Sequence, residues 1–288
     1  MRALVKVNLT LHVGPVRADG YHPVSSACAF PEVGDAVELG GRAQDFSLTV
    51  SGPEATALAA LPAEQNLVMR AARLLASRAR LAPRRLRLVK AVPAAAGIAG
   101  GTAGAAAALV LLNKEAARPL PDGALVRLSR RLGADGPVCT AAALAGGGLW
   151  LAEGDGDRVR RVAGPPPLWA VLANDRRPVP TGAVFTAFDA MGAAGALAQP
   201  GADLRTARGV LDLCARGRND LRQPALSVAP GIGAVEARLG ALPGCRFARM
   251  SGSGGTVFGL FASRVAAERG AARLTMAGLW AASGRLLG

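Results

Sequence analysis

The chain has 288 residues and is 51% hydrophobic, long enough to bury a full core and at the upper end for one domain, so two domains are expected. It contains only two histidines, His12 and His22, which leaves almost no material for a multi-histidine metal site or a histidine relay; acid–base work falls to carboxylates, lysine or the single tyrosine. Its four cysteines, Cys28, Cys139, Cys214 and Cys245, lie far apart with no C-x-x-C pair, which argues against zinc and a disulfide framework and points to a reduced, cytoplasmic setting.

The formal charge of +14 raises a nucleic-acid reading, because clustered cations displace counterions from phosphates. The positive residues are nearly all arginine, with Lys6, Lys90 and Lys114 the only lysines, and they are spread along the chain. Aromatics are only 4% of residues, so there is no stacking series either. A general bias toward arginine, or attraction of a polyanionic nucleotide substrate, explains the charge better than nucleic-acid binding. Arg2, Lys6 and Asn8 interrupt the start, so no secretory leader is expected. Residues 91–113 carry no charge, but they contain Pro93 and four glycines and are mostly alanine, so a glycine loop entering a buried helix is expected and a membrane span is not.

In chain order, residues 3–13 alternate without a break and predict one half-buried strand, with Lys6 and Asn8 on its polar face about 7 Å apart. That spacing suits a shared ligand, and equally an ordinary solvated face. Asp19-Gly20 signals a turn that returns Tyr21-His22 toward this strand. Strands follow at 36–39 and 46–50. Asn66 reads as the N-cap of a helix with Leu67, Ala71, Leu74 and Leu75 as its stripe, ending by Pro83. Leu86 and Leu88 suggest a strand that leads into the loop Pro93 to Gly104, and residues 105–113 read as a helix. A strand, a glycine turn and a helix N-terminus form an anion site, because free N–H groups and the helix dipole meet there. A plain tight turn has the same pattern. Neither a Walker A loop nor a dinucleotide fingerprint is present.

Asp122 is expected to cap a helix to Leu132 that Gly133 terminates, and Asp135 stands before Pro137 at the start of the next helix, where an N-cap role is the plain reading. Gly164-Pro165-Pro166-Pro167 marks the expected domain boundary, dividing the chain into 1–163 and 164–288. Beyond it come a strand at 168–173, helices at 181–189, 204–215, 220–226 and 232–239, strands at 245–250 and 256–261, and a last helix at 263–279. The loop Ser251-Gly252-Ser253-Gly254-Gly255 either closes over phosphates or is only a hairpin loop.

Lys6-Val7-Asn8, Arg17 with Asp19-Gly20-Tyr21-His22, Gln65-Asn66-Leu67, Pro93 with Gly97 and Gly100-Gly101, Leu132-Gly133-Ala134-Asp135, Gly146-Gly147, Thr181 with Phe185, Asn219-Asp220-Leu221 and Met250-Ser251-Gly252-Ser253-Gly254 occur in one order across the chain. In this the sequence resembles the diphosphocytidyl-methylerythritol kinases of the GHMP kinase superfamily. The resemblance implies an α+β fold, with an N-terminal α/β domain holding ATP, a C-terminal ferredoxin-like domain and the active site in the cleft between them. It also implies a soluble cytoplasmic kinase of isoprenoid precursor biosynthesis, a monomer or homodimer, whose partner is a small-molecule substrate rather than nucleic acid or membrane.

The same resemblance assigns roles. Asp135 would deprotonate the acceptor hydroxyl while Lys6 neutralises developing charge. Asn66, Pro93, Gly97, Gly100, Gly101 and Thr102 would hold ATP with Mg²⁺. Asn8, Thr181, Ser251 and Gly252 would hold the substrate, with Tyr21 and Phe185 sandwiching its cytosine and His22 reading the edge of the base. Ala95, Ala96 and Ala99 stand where the family has glycines, Ala103 where it has a serine, Gly104 where it has an acidic or amide residue. Alanine resists positive φ, so these departures bear on ATP affinity. A GHMP kinase for another small alcohol and a non-catalytic paralogue are the alternatives.

Overall fold

The computed structural model describes residues 1–163 and 167–287; Gly164, Pro165 and Pro166, where the domain boundary is expected, lie outside the described residues. The chain forms two compact units that interleave along the sequence. One comprises Met1–Val5, Gly34–Ala94 and Ala99–Gly146, the other Lys6–Val33, Ala95–Ile98 and Gly147–Gly288.

The first unit is a four-stranded sheet in the order Arg2–Leu4, Gly34–Arg42, Arg84–Val89, Ser47–Ser51. Its last pair is parallel, so the chain must cross over between them, and the helix Leu67–Ala76 makes that crossing. Asn66 caps this helix as expected, its side chain accepting from the Val68 N–H at 2.9 Å. Val68, Met69, Ala71, Ala72 and Leu75 are buried on one stripe of it. The helix Gly100–Lys114 packs on that stripe, on the sheet and on the helix Gly136–Ala145. Its run of buried alanines, Ala105 to Ala108, allows this close approach on several sides.

The second unit holds two sheets. In one, Val7–Asn8 and His12–Val13 both pair with Val24–Ala29, which continues to Leu149–Gly154 and Arg158–Ala163. The other is antiparallel in the order Cys245–Met250, Thr256–Phe261, Trp169–Asn174, Trp280–Arg285, with Arg264–Met276 joining the second of these strands to the last. A central pair flanked in this order is the ferredoxin-like arrangement. Val171, Val257, Phe261 and Leu274 lie in its core with Phe188 of the helix Thr181–Ala190.

Several expectations are corrected. Residues 3–13 are three short strands, Arg2–Leu4, Val7–Asn8 and His12–Val13, and the polar positions are as buried as the apolar ones: Lys6 6%, Asn8 2%, Thr10 0% and His12 1% exposed. Alternation reports the pleat; what covers each face is decided by the rest of the chain. The alanine-rich helix starts at Gly100 rather than at 105, and Asp122 is the first residue of its helix, with Pro121 at the N-cap position. The strands Leu149–Gly154, Arg158–Ala163 and Trp280–Arg285 are not anticipated. The last reads Trp-Ala-Ala-Ser-Gly-Arg, too small and polar to signal a strand locally.

Candidate active site

The approach to the glycine loop is anchored by a buried ion pair that sequence reading missed. Lys90 Nζ donates to Asp35 Oδ2 at 2.9 Å and to the Val92 carbonyl, while Asp35 Oδ1 accepts from the N–H groups of Ala91 at 2.7 Å and Val92 at 3.0 Å. Both side chains are almost wholly shielded, and Pro93 is buried just beyond them. Only the rarity of lysine in this chain could have drawn attention to Lys90.

Within the loop Ala95 (φ 51°), Gly97 (φ 71°) and Ala99 (φ 53°) are left-handed. The two alanines thus adopt a conformation at which glycine is at ease, at a cost of roughly 1–2 kcal/mol each. Ala99 ends the loop as the backbone N-cap of the helix, and the first intrahelical bond runs from Ala103 N–H to the Ala99 carbonyl at 2.8 Å. The N–H groups of Gly100, Gly101 and Thr102 therefore precede the helix ladder, at the positive end of a 15-residue dipole. Free N–H groups and the positive end of a helix dipole together favour negative charge here. Thr102 Oγ1 points toward the turn at Gly133, where a Cβ would lie 4.0 Å from it.

That turn carries Asp135. It occupies the N-cap position of Gly136–Ala145, but its side chain makes no capping bond; the backbone carbonyl takes the Cys139 N–H at 3.0 Å instead. The carboxylate is half-buried at a helix N-terminus. Asn66, Pro93, Gly100, Gly101, Thr102 and Asp135 all belong to the first unit.

Lys6, Asn8, Gly97, Ser251 and Gly252 come together in the second unit. The Lys6 N–H donates to the Ile98 carbonyl at 3.1 Å, and the Asn8 N–H to Ser251 Oγ at 3.0 Å. Ser26 Oγ spends its proton on the Thr10 carbonyl at 2.6 Å, so it accepts from Asn8 Nδ2 at 2.7 Å, and the Asn8 amide has one orientation. Its Oδ1 is buried without a partner among the described residues and lies beside Gly252. A buried acceptor left so costs about 1–3 kcal/mol and suits a ligand donor. Asn219, quoted above only as part of a motif, holds the hairpin loop by donating to the carbonyls of Met250 at 3.0 Å and Gly252 at 2.9 Å.

Thr181 Oγ1 meets Ser253 Oγ at 2.8 Å, joining the start of Thr181–Ala190 to the hairpin loop. Farther along that helix Phe185 lies 5.4 Å from the His22 ring, centroid to centroid. Tyr21, next to His22, is 68% exposed, as its place after the Asp19-Gly20 turn predicts.

A helix terminus with free N–H groups, a carboxylate at a second helix terminus and a ferredoxin-like unit are the parts of a small-molecule kinase of the GHMP class. The GHMP kinase N-terminal domain model matches residues 66–147 and the GHMP kinase C-terminal model residues 207–278. A 4-diphosphocytidyl-2-C-methyl-D-erythritol kinase from Rhodospirillum rubrum is 42% identical, covering 99% of this chain and 92% of its own. One from Methylobacterium radiotolerans is 46% identical, covering 98% and 96%. A crystal structure of 4-(cytidine 5'-diphospho)-2C-methyl-D-erythritol kinase superposes with a TM-score of 0.77 at 32% identity, covering 100% of this chain and 99% of the other. L. major mevalonate kinase, in complex with R-mevalonate, shares the fold with a TM-score of 0.67 at 16% identity. The chain belongs to the 4-diphosphocytidyl-2-C-methyl-D-erythritol kinase family of the GHMP kinases, and it is an ATP-dependent kinase.

Proposed function

We propose that the protein transfers the γ-phosphoryl group of ATP to the 2-hydroxyl of 4-diphosphocytidyl-2-C-methyl-D-erythritol, in the cytoplasm. Asp135 takes the hydroxyl proton as the oxygen attacks phosphorus, the bond to the bridging oxygen breaks, and ADP leaves. Lys6 neutralises the charge that develops, and Asn8 Oδ1 accepts from a substrate hydroxyl. The N–H groups of Gly100, Gly101 and Thr102 receive the phosphates of ATP, which residues within 1–163 hold. The hydroxyl of Thr102, a hard oxygen donor in that first turn, would suit Mg²⁺, which when bound would offset phosphate charge.

The observation that carries the choice of substrate is the His22–Phe185 ring pair beside exposed Tyr21. A kinase for an alcohol without a base has no use for it. A coupled assay of ADP release tests the reading, with the diphosphocytidyl substrate set against mevalonate, homoserine and galactose. Turnover is expected with the first alone; turnover with another alcohol, or with none, overturns it.

A further inference from the structure

The His22 ring is held on every side by protein. Nδ1 lies 2.9 Å from the Gly14 carbonyl oxygen, which can only accept, so Nδ1 carries a proton and donates. Nε2 lies 3.1 Å from Asp189 Oδ1, which also can only accept, so the bond to Asp189 forms when Nε2 carries a proton as well. Phe185 and Phe188 each stand 5.4 Å away, the first tilted by 33° and the second nearly edge-on at 83°. The ring is 6% exposed while the Asp189 carboxylate is 49% exposed.

Phe185 and Asp189 are four positions apart, so they share one face of the helix Thr181–Ala190. One offers a ring face and the other a carboxylate to the same imidazole. Turning that imidazole over would replace both nitrogens by carbons opposite Gly14 and Asp189, so the two contacts select a single ring orientation. An aspartate in the last turn of a helix also opposes the helix dipole, a local disadvantage that calls for a compensating role.

We infer that Asp189 is a positioning residue for recognition of the base. It touches no substrate atom; it acts through the His22 ring to hold the Tyr21–His22 segment against Phe185. This rests on the proposed function, with the cytosine of the substrate received between Tyr21 and Phe185; the His22 ring, both nitrogens facing protein, is not left to read the base edge. Among the described residues the otherwise exposed Tyr21 is bonded within its own turn, where its carbonyl takes the Arg17 N–H and its N–H reaches Asp19 Oδ1. Its place relative to Phe185 therefore depends on the neighbouring His22.

The test uses the full chain with Asp189→Ala and Asp189→Asn, steady-state kinetics for both substrates, and calorimetry with cytidine diphosphate. Asp189→Ala is expected to raise KM for the diphosphocytidyl substrate and Kd for cytidine diphosphate about three- to tenfold, with kcat and KM for ATP within about twofold of wild type. Asp189→Asn is expected to stay within about twofold throughout, because its amide oxygen can accept the Nε2–H that Asp189 holds. If Asp189→Ala binds cytidine diphosphate as wild type does, the inference fails and the proposed function stands. Equal impairment of both variants, with kcat falling and the ATP KM rising as well, makes Asp189 merely structural and also overturns it. A wild-type protein that does not bind cytidine diphosphate overturns the function reading and this inference with it.

Discussion

Gly97 is pressed against Gly254: a side-chain carbon at position 97 would overlap the Gly254 carbonyl oxygen. The glycine loop and the hairpin loop thus lock together backbone to backbone. Gly97 also has a φ of 71°, so its lack of a Cβ is needed twice.

Gly97→Ala should accordingly lower stability by about 2–5 kcal/mol, the sum of a left-handed alanine and an overpacked contact. Because Ser251 and Gly252 belong to the displaced hairpin loop, affinity for the diphosphocytidyl substrate should fall along with that for ATP. Urea unfolding and calorimetry measure both. An unchanged unfolding midpoint would mean that Gly97 serves phosphate approach alone.

Ala95 and Ala99 invite the opposite change. Each occupies left-handed backbone where glycine is at ease, so Ala95→Gly and Ala99→Gly should each stabilise by about 0.5–1 kcal/mol after the extra unfolded-state entropy of glycine is subtracted. Thermal unfolding of the two single variants decides it. A drop in Tm for both would show that alanine is unstrained here.

Asp135→Asn should reduce kcat by on the order of 10²–10⁴ through loss of the positioned base. Since the native side chain makes no capping bond, the fold should change little, by about 0.3–1 kcal/mol from the lost charge at the helix terminus. The measurement pairs single-turnover rates with thermal unfolding. A folded variant with wild-type kcat would remove Asp135 from catalysis.

His12 predicts a pH dependence of stability. Burial, with Arg218 adding to it, pushes its pKa below the usual 6.5, while Asp220 acts the other way. Between that lowered value and 6.5 the unfolded chain binds a proton that the folded chain does not, so stability should fall as pH drops from about 7 through this window and level off below it. His12→Gln, whose amide can still accept from the Arg218 N–H, should flatten that part of the slope. The check is urea unfolding of both proteins from pH 7.5 to pH 5; parallel slopes would show that His12 contributes nothing.

The amino-acid sequence by itself determined what short-range physics controls. The cap at Asn66, the Asp19-Gly20 turn that leaves Tyr21 exposed, the strand pair around the Ser251–Gly255 loop and the helix dipole facing the glycine loop all follow from neighbours a few positions apart. Tertiary structure alone decided the rest. It buried Lys6, Asn8, Thr10 and His12 on a face that alternation marks only as polar, and it set Asp35 against Lys90 across 55 positions. It also packed Gly97 against Gly254 and gave Asp189 a histidine to hold. Periodicity and propensity describe how a residue relates to its own turn or pleat, whereas burial and pairing depend on which distant segment covers it, a choice made only when the whole chain packs.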